Sequence, residues 1–456
     1  MLEPLVTAAE TRAAEEAHPG YPESMAELME RAGAAVARLV LERFPGRVSV
    51  VCGKGSNGGD GRVAARILGE AGREVLVVEP GGELGRPEVV VDALFGTGFR
   101  GAPREEAAGT IEAINGCGAP VVAIDVPSGV DASTGEVPGA AVRASATVTM
   151  EAAKVGLVVA PGRFHAGEVH VAPIGLALAG HEHALVLASV TDEVPRKEGE
   201  TNKYRAGSVL VVGGSPGLTG ALCLCAEAAF RADAGYVAVA CDREAMPVVE
   251  ARLLEAVKRP LEQAVEAAEK ASALAIGPGL GRGEERRRLV RRLLDEVDLP
   301  AVVDADGLDG LEPLERSAPT VLTPHAGELG RLLGESAEWV SAHRLEAVRR
   351  AADRYRCVCL LKGSDTLVAA PGEGVLVSLF GDPSLATAGT GDVLTGVVAA
   401  FLAKGMEPRL AAAAAAAVHG LAAKLHEPSP GMVASDLLRT IPRVLAGEGP
   451  RERPLS

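Results

Sequence analysis

Short apolar runs rich in valine and alanine alternate along this chain with stretches whose apolar positions recur every three or four residues. In the first half the runs predict strands over Val48–Cys52, Glu74–Glu79, Glu88–Leu94 and Val121–Val126, and the helical spacing predicts helices over Ser24–Phe44 and Gly61–Ala71. A second series predicts strands over Ser208–Val212, Tyr236–Ala240, Ala273–Ile276, Ala301–Val303, Thr320–Leu322 and Cys357–Leu361. It adds a hairpin within Thr366–Leu379 and helices over Asp392–Ala403 and Leu410–Leu425, the last containing an alanine run that suits a helix. Such alternation implies an α/β protein with mostly parallel sheets, helices on both faces, and functional loops at the carboxyl ends of the strands. Between the two series, S-V-T-D-E-V-P-R-K-E-G-E-T-N (189–202) is polar and broken by Pro and Gly. It reads as a linker, dividing the chain into a domain over 1–190, a connection over 191–201 and a domain over 202–445.

A length of 456 residues agrees with two domains rather than one core. The net charge of -15 repels nucleic acid and anionic membrane, and no block of Lys and Arg offsets it. The apolar runs are too short to span a bilayer, and the opening M-L-E-P-L-V-T-A-A-E-T-R lacks the features of a secretory signal. Seven cysteines, an odd number without a C-x-x-C pair, read as buried thiols of a reducing cytosol, so a cytoplasmic location is expected.

Three strand ends of the first half carry unusual loops: G-K-G-S-N-G-G-D-G (53–61), D-A-L-F-G-T-G-F-R (92–100) and D-V-P-S-G-V-D (125–131). A parallel sheet gathers them along one edge. Gly58, Gly59 and Gly61 are expected to allow positive φ and close backbone approach to a ligand. The turn lacks the G-K-[ST] of a phosphate-binding loop, and Asp60 would repel a phosphate. Asn57, Asp92 and Ser128 offer hard oxygen donors, which suit an alkali or alkaline-earth cation better than zinc.

With L-M-E-R-A-G (28–33), these loops resemble NAD(P)H-hydrate epimerase over roughly residues 1 to 175. The resemblance implies a Rossmann-like three-layer sandwich. It implies contacts to the hydrated dinucleotide from Ser56, Asn57, Gly58, Gly59 and Asp60, and from Gly96, Thr97, Gly98, Phe99, Arg100, Gly101 and Ala102. It further implies a potassium ion held by Asn57, Asp92 and Ser128, and Asp125 as substrate ligand and acid/base at the nicotinamide end. Lys154, in E-A-A-K-V-G-L, also matches a family position. Ser56 stands where the family usually has an asparagine, so altered contacts rather than lost activity are expected.

In the second half S-L-A-T-A-G-T-G-D-V-L-T-G (384–396) leads small residues into an apolar helix. Backbone N–H groups around Gly389, Thr390 and Gly391 would form an anion pocket reinforced by the helix dipole. Asp392 opposes an anion there unless it has its own task, and accepting a proton from a hydroxyl that attacks a phosphoryl group is that task. The G-T-G-D constellation resembles the ribokinase-like superfamily, and within it ADP/ATP-dependent NAD(P)H-hydrate dehydratase. N-K-Y-R-A-G-S-V-L-V-V-G-G-S (202–215), T-G-A (219–221), G-P-G-L-G (277–281), D-A-D-G-L (304–308), T-P-H-A-G-E (323–328) and L-K-G-S-D (361–365) support it. The resemblance implies substrate contacts from Ala221, Gly279, His325 and Asp392. It implies an adenine nucleotide, bound with Mg2+, on Lys362, Gly363, Ser364, Asp365, Thr366 and Gly391.

Both halves together imply a bifunctional repair enzyme. One half interconverts the R and S hydrates of NADH or NADPH, and the other dehydrates the S form at the expense of ADP or ATP. ADP is favoured, as in fused members of the family, and a homo-oligomer is expected. Two other readings remain at this point: a ribokinase-like vitamin or sugar kinase with an auxiliary first half, and a non-catalytic scaffold.

Overall fold

The computed structural model describes residues 1–197, 202–203, 206–427, 430–450 and 455. Its two compact units are built mainly from Pro4–Ala184 and from Leu185–Val340 with Glu346–Glu452. The stretch read as a linker begins inside a 3-10 helix, Ala188–Glu193, while residues 198–201 lie outside the described residues.

The N-terminal unit runs β1 (Leu2–Val6), α1 (Ala8–Glu16), α2 (Met25–Arg43), β2 (Val48–Cys52), α3 (Ser56–Glu70), β3 (Val75–Val78), β4 (Val89–Ala93), α4 (Glu105–Gly116), β5 (Val121–Ile124), β6 (Ala146–Met150), β7 (Ala153–Lys154) and β8 (Glu168–Ala172). Among the described residues six strands form a wholly parallel sheet, in the order β3-β2-β4-β5-β6-β8. The inner strands β2, β4 and β5 are buried along their whole length because both faces are covered. Val36, Val40, Ala64 and Leu68 of α2 and α3 pack on one face with Val50, Val91 and Ile124. Ile111 and Ile114 of α4 pack on the other with Val51 and Val90. This is a three-layer sandwich. The short β7 pairs in parallel with β1, Val6 opposite Lys154.

In the C-terminal unit the strands follow the order Val257–Pro260, Tyr236–Cys241, Ser208–Val212, Ala273–Ile276, Ala301–Val303, Thr320–Leu322, Val358–Leu361, Thr366–Ala369 and Leu376–Ser378. The first seven are parallel, and the last two form the expected antiparallel hairpin. Helices Thr219–Arg231 and Thr390–Ala403 lie so close that a Cβ on Gly396 would stand 2.2 Å from the Cys225 carbonyl oxygen.

One expectation needs correction. The glycines of 58–61 do not adopt positive φ, and α3 begins at Ser56 rather than Gly61. They are needed because the chain packs on itself. A Cβ at Gly58 would lie 2.0 Å from the Gly53 carbonyl oxygen, and one at Gly61 2.5 Å from the Ala93 Cβ.

Candidate active sites

At the carboxyl edge of the N-terminal sheet a cavity of about 1070 Å³ opens between α1, α2, α3 and the loops after β2, β4 and β5. Ser56, Asn57, Asp60, Gly96, Thr97, Gly98, Phe99, Arg100, Asp125 and Lys154 line it. Gly58, Gly59, Gly101 and Ala102 are not among its lining residues. Gly59 instead faces Met29, and Ala102 packs beside Gly139. Phe95 and Phe99 stack at 4.7 Å, and Arg100 pairs with Asp131 at 3.3 Å, which stiffens the loop after β4.

Asp125 follows β5 in the left-handed region, φ 67°, a conformation that costs a non-glycine residue about 1 kcal/mol or more. The fold holds it there through the Asp125 N–H to the Val148 carbonyl, 2.7 Å. Its carboxylate accepts from the Thr97 N–H at 3.2 Å and the Thr149 hydroxyl at 3.3 Å, and pairs with Lys154 Nζ at 2.7 Å. Lys154 is fully buried and also donates to the Met150 carbonyl at 2.8 Å.

Asp92, completely buried, lies one strand away. One carboxylate oxygen accepts from the Ser128 hydroxyl at 2.7 Å and the Leu94 N–H at 3.2 Å, the other from the Ser128 N–H at 2.8 Å. Asn57 donates to the Phe95 carbonyl at 2.8 Å. Burial outweighs these bonds and raises the Asp92 pKa. No ion pair offsets its charge among the described residues. An all-oxygen group around a buried, uncompensated carboxylate fits a hard cation.

In the C-terminal unit Gly389, at φ 90°, caps the helix Thr390–Ala403. Here the glycine is needed for its backbone. Asp392 stands in the first turn. Burial, then the neighbouring Asp304, push its carboxyl up to about 7 against the pull of Lys362. Asp304, at the end of Ala301–Val303, accepts from Lys362 Nζ at 2.8 Å and from the Thr395 hydroxyl at 2.6 Å. Lys362 also lies 3.9 Å from Glu328. Burial opposes its charge, but Asp304 and Glu328 more than compensate and raise its pKa. Gly391 faces the same ammonium, since a Cβ there would lie 3.3 Å from Lys362 Nζ.

Thr366 donates to the Gly363 carbonyl at 3.1 Å, and Asp365 is buried beside Ser364, so the Lys362–Thr366 loop folds back on itself. Gly279 adopts φ 61° with its Cα against the Leu218 carbonyl, just before the helix that carries Ala221. His325 caps the helix Ala326–Leu333: its Nδ1 accepts from the N–H groups of Gly327 and Glu328, and Glu328 returns a bond to the His325 N–H at 2.9 Å. Its Nε2 lies 3.4 Å from the Glu328 carboxylate, and the side chain remains half exposed.

Asp304, Glu328 and Thr395 were not singled out from the sequence, although Asp304 follows an apolar strand just as Asp125 does. Glu15 of the N-terminal cavity and Thr149, which bonds Asp125, carry no such signal. Glu15 arrives on a helix, and Thr149 sits inside a strand.

The N-terminal unit is thus a Rossmann-like sandwich with a carboxylate–lysine cavity at its sheet edge, and the C-terminal unit a ribokinase-like fold with an acid at a helix start. A family model described as NAD(P)H-hydrate dehydratase matches residues 209–443, and one described as YjeF-related protein N-terminus matches 25–84 and 79–156. The bifunctional NAD(P)H-hydrate repair enzyme of Moorella thermoacetica is 39% identical, covering 92% of both chains. That of Escherichia coli is 34% identical, covering 92% of this chain and 90% of its own. A crystal structure of the ADP/ATP-dependent NAD(P)H-hydrate dehydratase of Bacillus subtilis, co-crystallized with ATP/Mg2+, superposes with a TM-score of 0.53 at 29% identity, covering 57% of this chain and 95% of that one. The chain belongs to the bifunctional NAD(P)H-hydrate repair enzymes.

Proposed function

We propose that this chain repairs hydrated NAD(P)H in two steps, the epimerase occupying 1–190 and the dehydratase 202–445, joined by 191–201. The observation that carries the reading is that each unit sets an aspartate–lysine pair at the carboxyl edge of its sheet, Asp125 with Lys154 and Asp304 with Lys362. In the C-terminal unit Asp392 takes the proton of the C6 hydroxyl as that oxygen attacks the terminal phosphoryl group of the nucleotide. The amides of Gly389, Thr390 and Gly391 steady the transferred group, and Lys362–Thr366 hold the nucleotide. The C6–O bond of the phosphate ester then breaks, phosphate leaving under the push of the ring-nitrogen lone pair, and loss of a C5 proton restores the conjugated ring. Ala221, Gly279 and His325 frame the nicotinamide half. Magnesium, bound with the nucleotide, would supply charge neutralisation for its phosphates. Among donors ADP is preferred to ATP.

In the N-terminal unit the dinucleotide lies along Ser56–Asp60 and Gly96–Ala102, and Asp125 moves the hydroxyl proton. Asn57, Asp92 and Ser128 would hold potassium, supplying the positive charge that Asp92 lacks. Binding by Gly58, Gly59, Gly101 and Ala102 is then through backbone, because their Cα positions are packed or turned from the cavity. The protein works in the cytoplasm, free of nucleic acid and membrane, as a homo-oligomer. No described helix is long and apolar enough to cross a membrane. A vitamin kinase would leave the Asp125–Lys154 cavity without a use, and a scaffold would need neither acid. Purified protein incubated with mixed hydrate epimers, with and without ADP, tests the reading. Nucleotide-dependent recovery of reduced-nicotinamide absorbance is expected; phosphorylation of a vitamin alcohol without recovery overturns it.

A further inference from the structure

The N-terminal cavity contains more acid than its buried lysine can neutralise. Asp60 from α3 and Glu15 from α1 line it with Asp125 and Lys154. Lys154 is committed to Asp125 and to the Met150 carbonyl. The other cations of the wall lie elsewhere: Arg12 pairs with Glu16 at 3.2 Å, Arg100 with Asp131, and Lys54 is exposed. The carboxyl groups of Asp60 and Glu15 have no hydrogen bond or ion pair among the described residues.

We propose that Asp60 is the proton donor of epimer exchange, opposite Asp125 as proton acceptor, and that Glu15 tunes it. The inference rests on the reading of this cavity as the epimerase site. Burial, then the charges of Asp125 and Glu15, push Asp60 up to about 8 against the opposing pull of Lys154, so it carries a proton at neutral pH. Burial and Asp125 raise Glu15 as well. The buried ammonium of Lys154 pairs with Asp125, while Asp60 has no such partner among the described residues, which assigns base and acid.

The hydrate's C6 carries both the hydroxyl and ring nitrogen N1, and inversion must break and remake one of those bonds. Breaking C–O needs only an acid, and leaves an iminium carbon one proton loss from the dehydrated ring. Breaking C–N needs a base at the hydroxyl and an acid at the nitrogen together, and the cavity presents both. Asp125 takes the hydroxyl proton, whose electron pair becomes the second C6–O bond. The C6–N1 pair passes to N1, which takes the proton of Asp60. Rotation about C5–C6 presents the other carbonyl face. The N1 lone pair closes the ring, its proton returns to Asp60, and Asp125 returns its proton to oxygen. No proton or electron is consumed overall.

The test uses the full chain, a single purified hydrate epimer and no nucleotide. Asp60→Asn is expected to lower kcat for exchange about 100-fold or more with KM changed only a few-fold. Wild-type kcat/KM should fall above pH about 8, and Asp60→Asn should lack that alkaline limb. Glu15→Gln should move the limb to lower pH, and Asp60→Glu should restore part of the rate. In ¹⁸O water the exchanged product should keep its original oxygen. An alkaline limb that survives Asp60→Asn, a loss confined to KM, a limb unmoved by Glu15→Gln, or solvent oxygen in every exchanged molecule overturns the proposal. An unchanged urea unfolding midpoint of the N-terminal unit in the same variant preparation reports that this unit is folded. A wild-type chain that does not exchange epimers at all would instead refute the epimerase reading.

Discussion

The two units use the same pair of residue types, an aspartate and a lysine at a sheet edge, to opposite effect. In the N-terminal unit the lysine binds the acting carboxylate itself, Lys154 to Asp125 at 2.7 Å. In the C-terminal unit it binds the supporting one, Lys362 to Asp304 at 2.8 Å, and Asp392 is left to burial and a neighbouring carboxylate. Placement of one ammonium therefore decides which acid has a compensating charge and which has its proton affinity drawn toward neutrality. The glycine turns differ in a parallel way. Gly389 is needed for its positive φ, whereas Gly58 and Gly61 are needed because neighbouring chain leaves no room for a side chain.

The largest expected effect separates the units outright. Asp125→Asn should lower epimer exchange by roughly 10²–10⁴-fold with dehydration of the S form unchanged, and Asp392→Asn should do the reverse. Chromatography of both epimers with and without ADP measures both activities; loss of both in either variant would break the comparison. Next, Lys154→Met should destabilise the N-terminal unit by about 3–5 kcal/mol, because it leaves Asp125 buried without its partner. Lys362→Met should cost less, since Lys362 is 22% exposed against 0% for Lys154. Urea titration followed by hydrogen exchange in each unit would show it.

The pH dependence sharpens the contrast. Asp392 must be ionised to accept the hydroxyl proton, and its carboxyl is raised to about 7. Dehydratase kcat/KM should therefore rise with pH through about 7 and fall about tenfold per unit below it. A rate that is flat from pH 5 to 8 would contradict the assignment of base. The smallest effect concerns the turns. Gly389→Ala should cost about 1–3 kcal/mol through backbone strain and weaken nucleotide binding. Gly58→Ala should destabilise by a similar amount through its clash with the Gly53 carbonyl, with dehydration untouched. Thermal melts with and without ADP would distinguish these.

Most of the framework was legible in the sequence because parallel strands buried on both faces are continuous apolar runs. Ser208–Val212, Ala273–Ile276, Ala301–Val303 and Thr320–Leu322 match to the residue. Asp92 and Asp125 stood out for the same reason, being acids at the ends of such runs. The glycine turn misled because sequence shows only that a side chain is absent; whether φ, a ligand or packing requires the absence is a tertiary fact. His325 likewise shows its cap only once Glu328 is seen to return the bond. Glu15 could not be found from a strand end, since α1 brings it to the cavity from the opposite wall. Lys154 lies on a two-residue strand, too short to leave a period in the sequence.

The claim that two chemically separate acids complete one repair is tested most directly by a mixture of R and S hydrates incubated with ADP and the Asp125→Asn chain. The account predicts that the S form disappears at the wild-type rate while the R form declines only as fast as in an enzyme-free control. Consumption of the R form at the wild-type rate would contradict it.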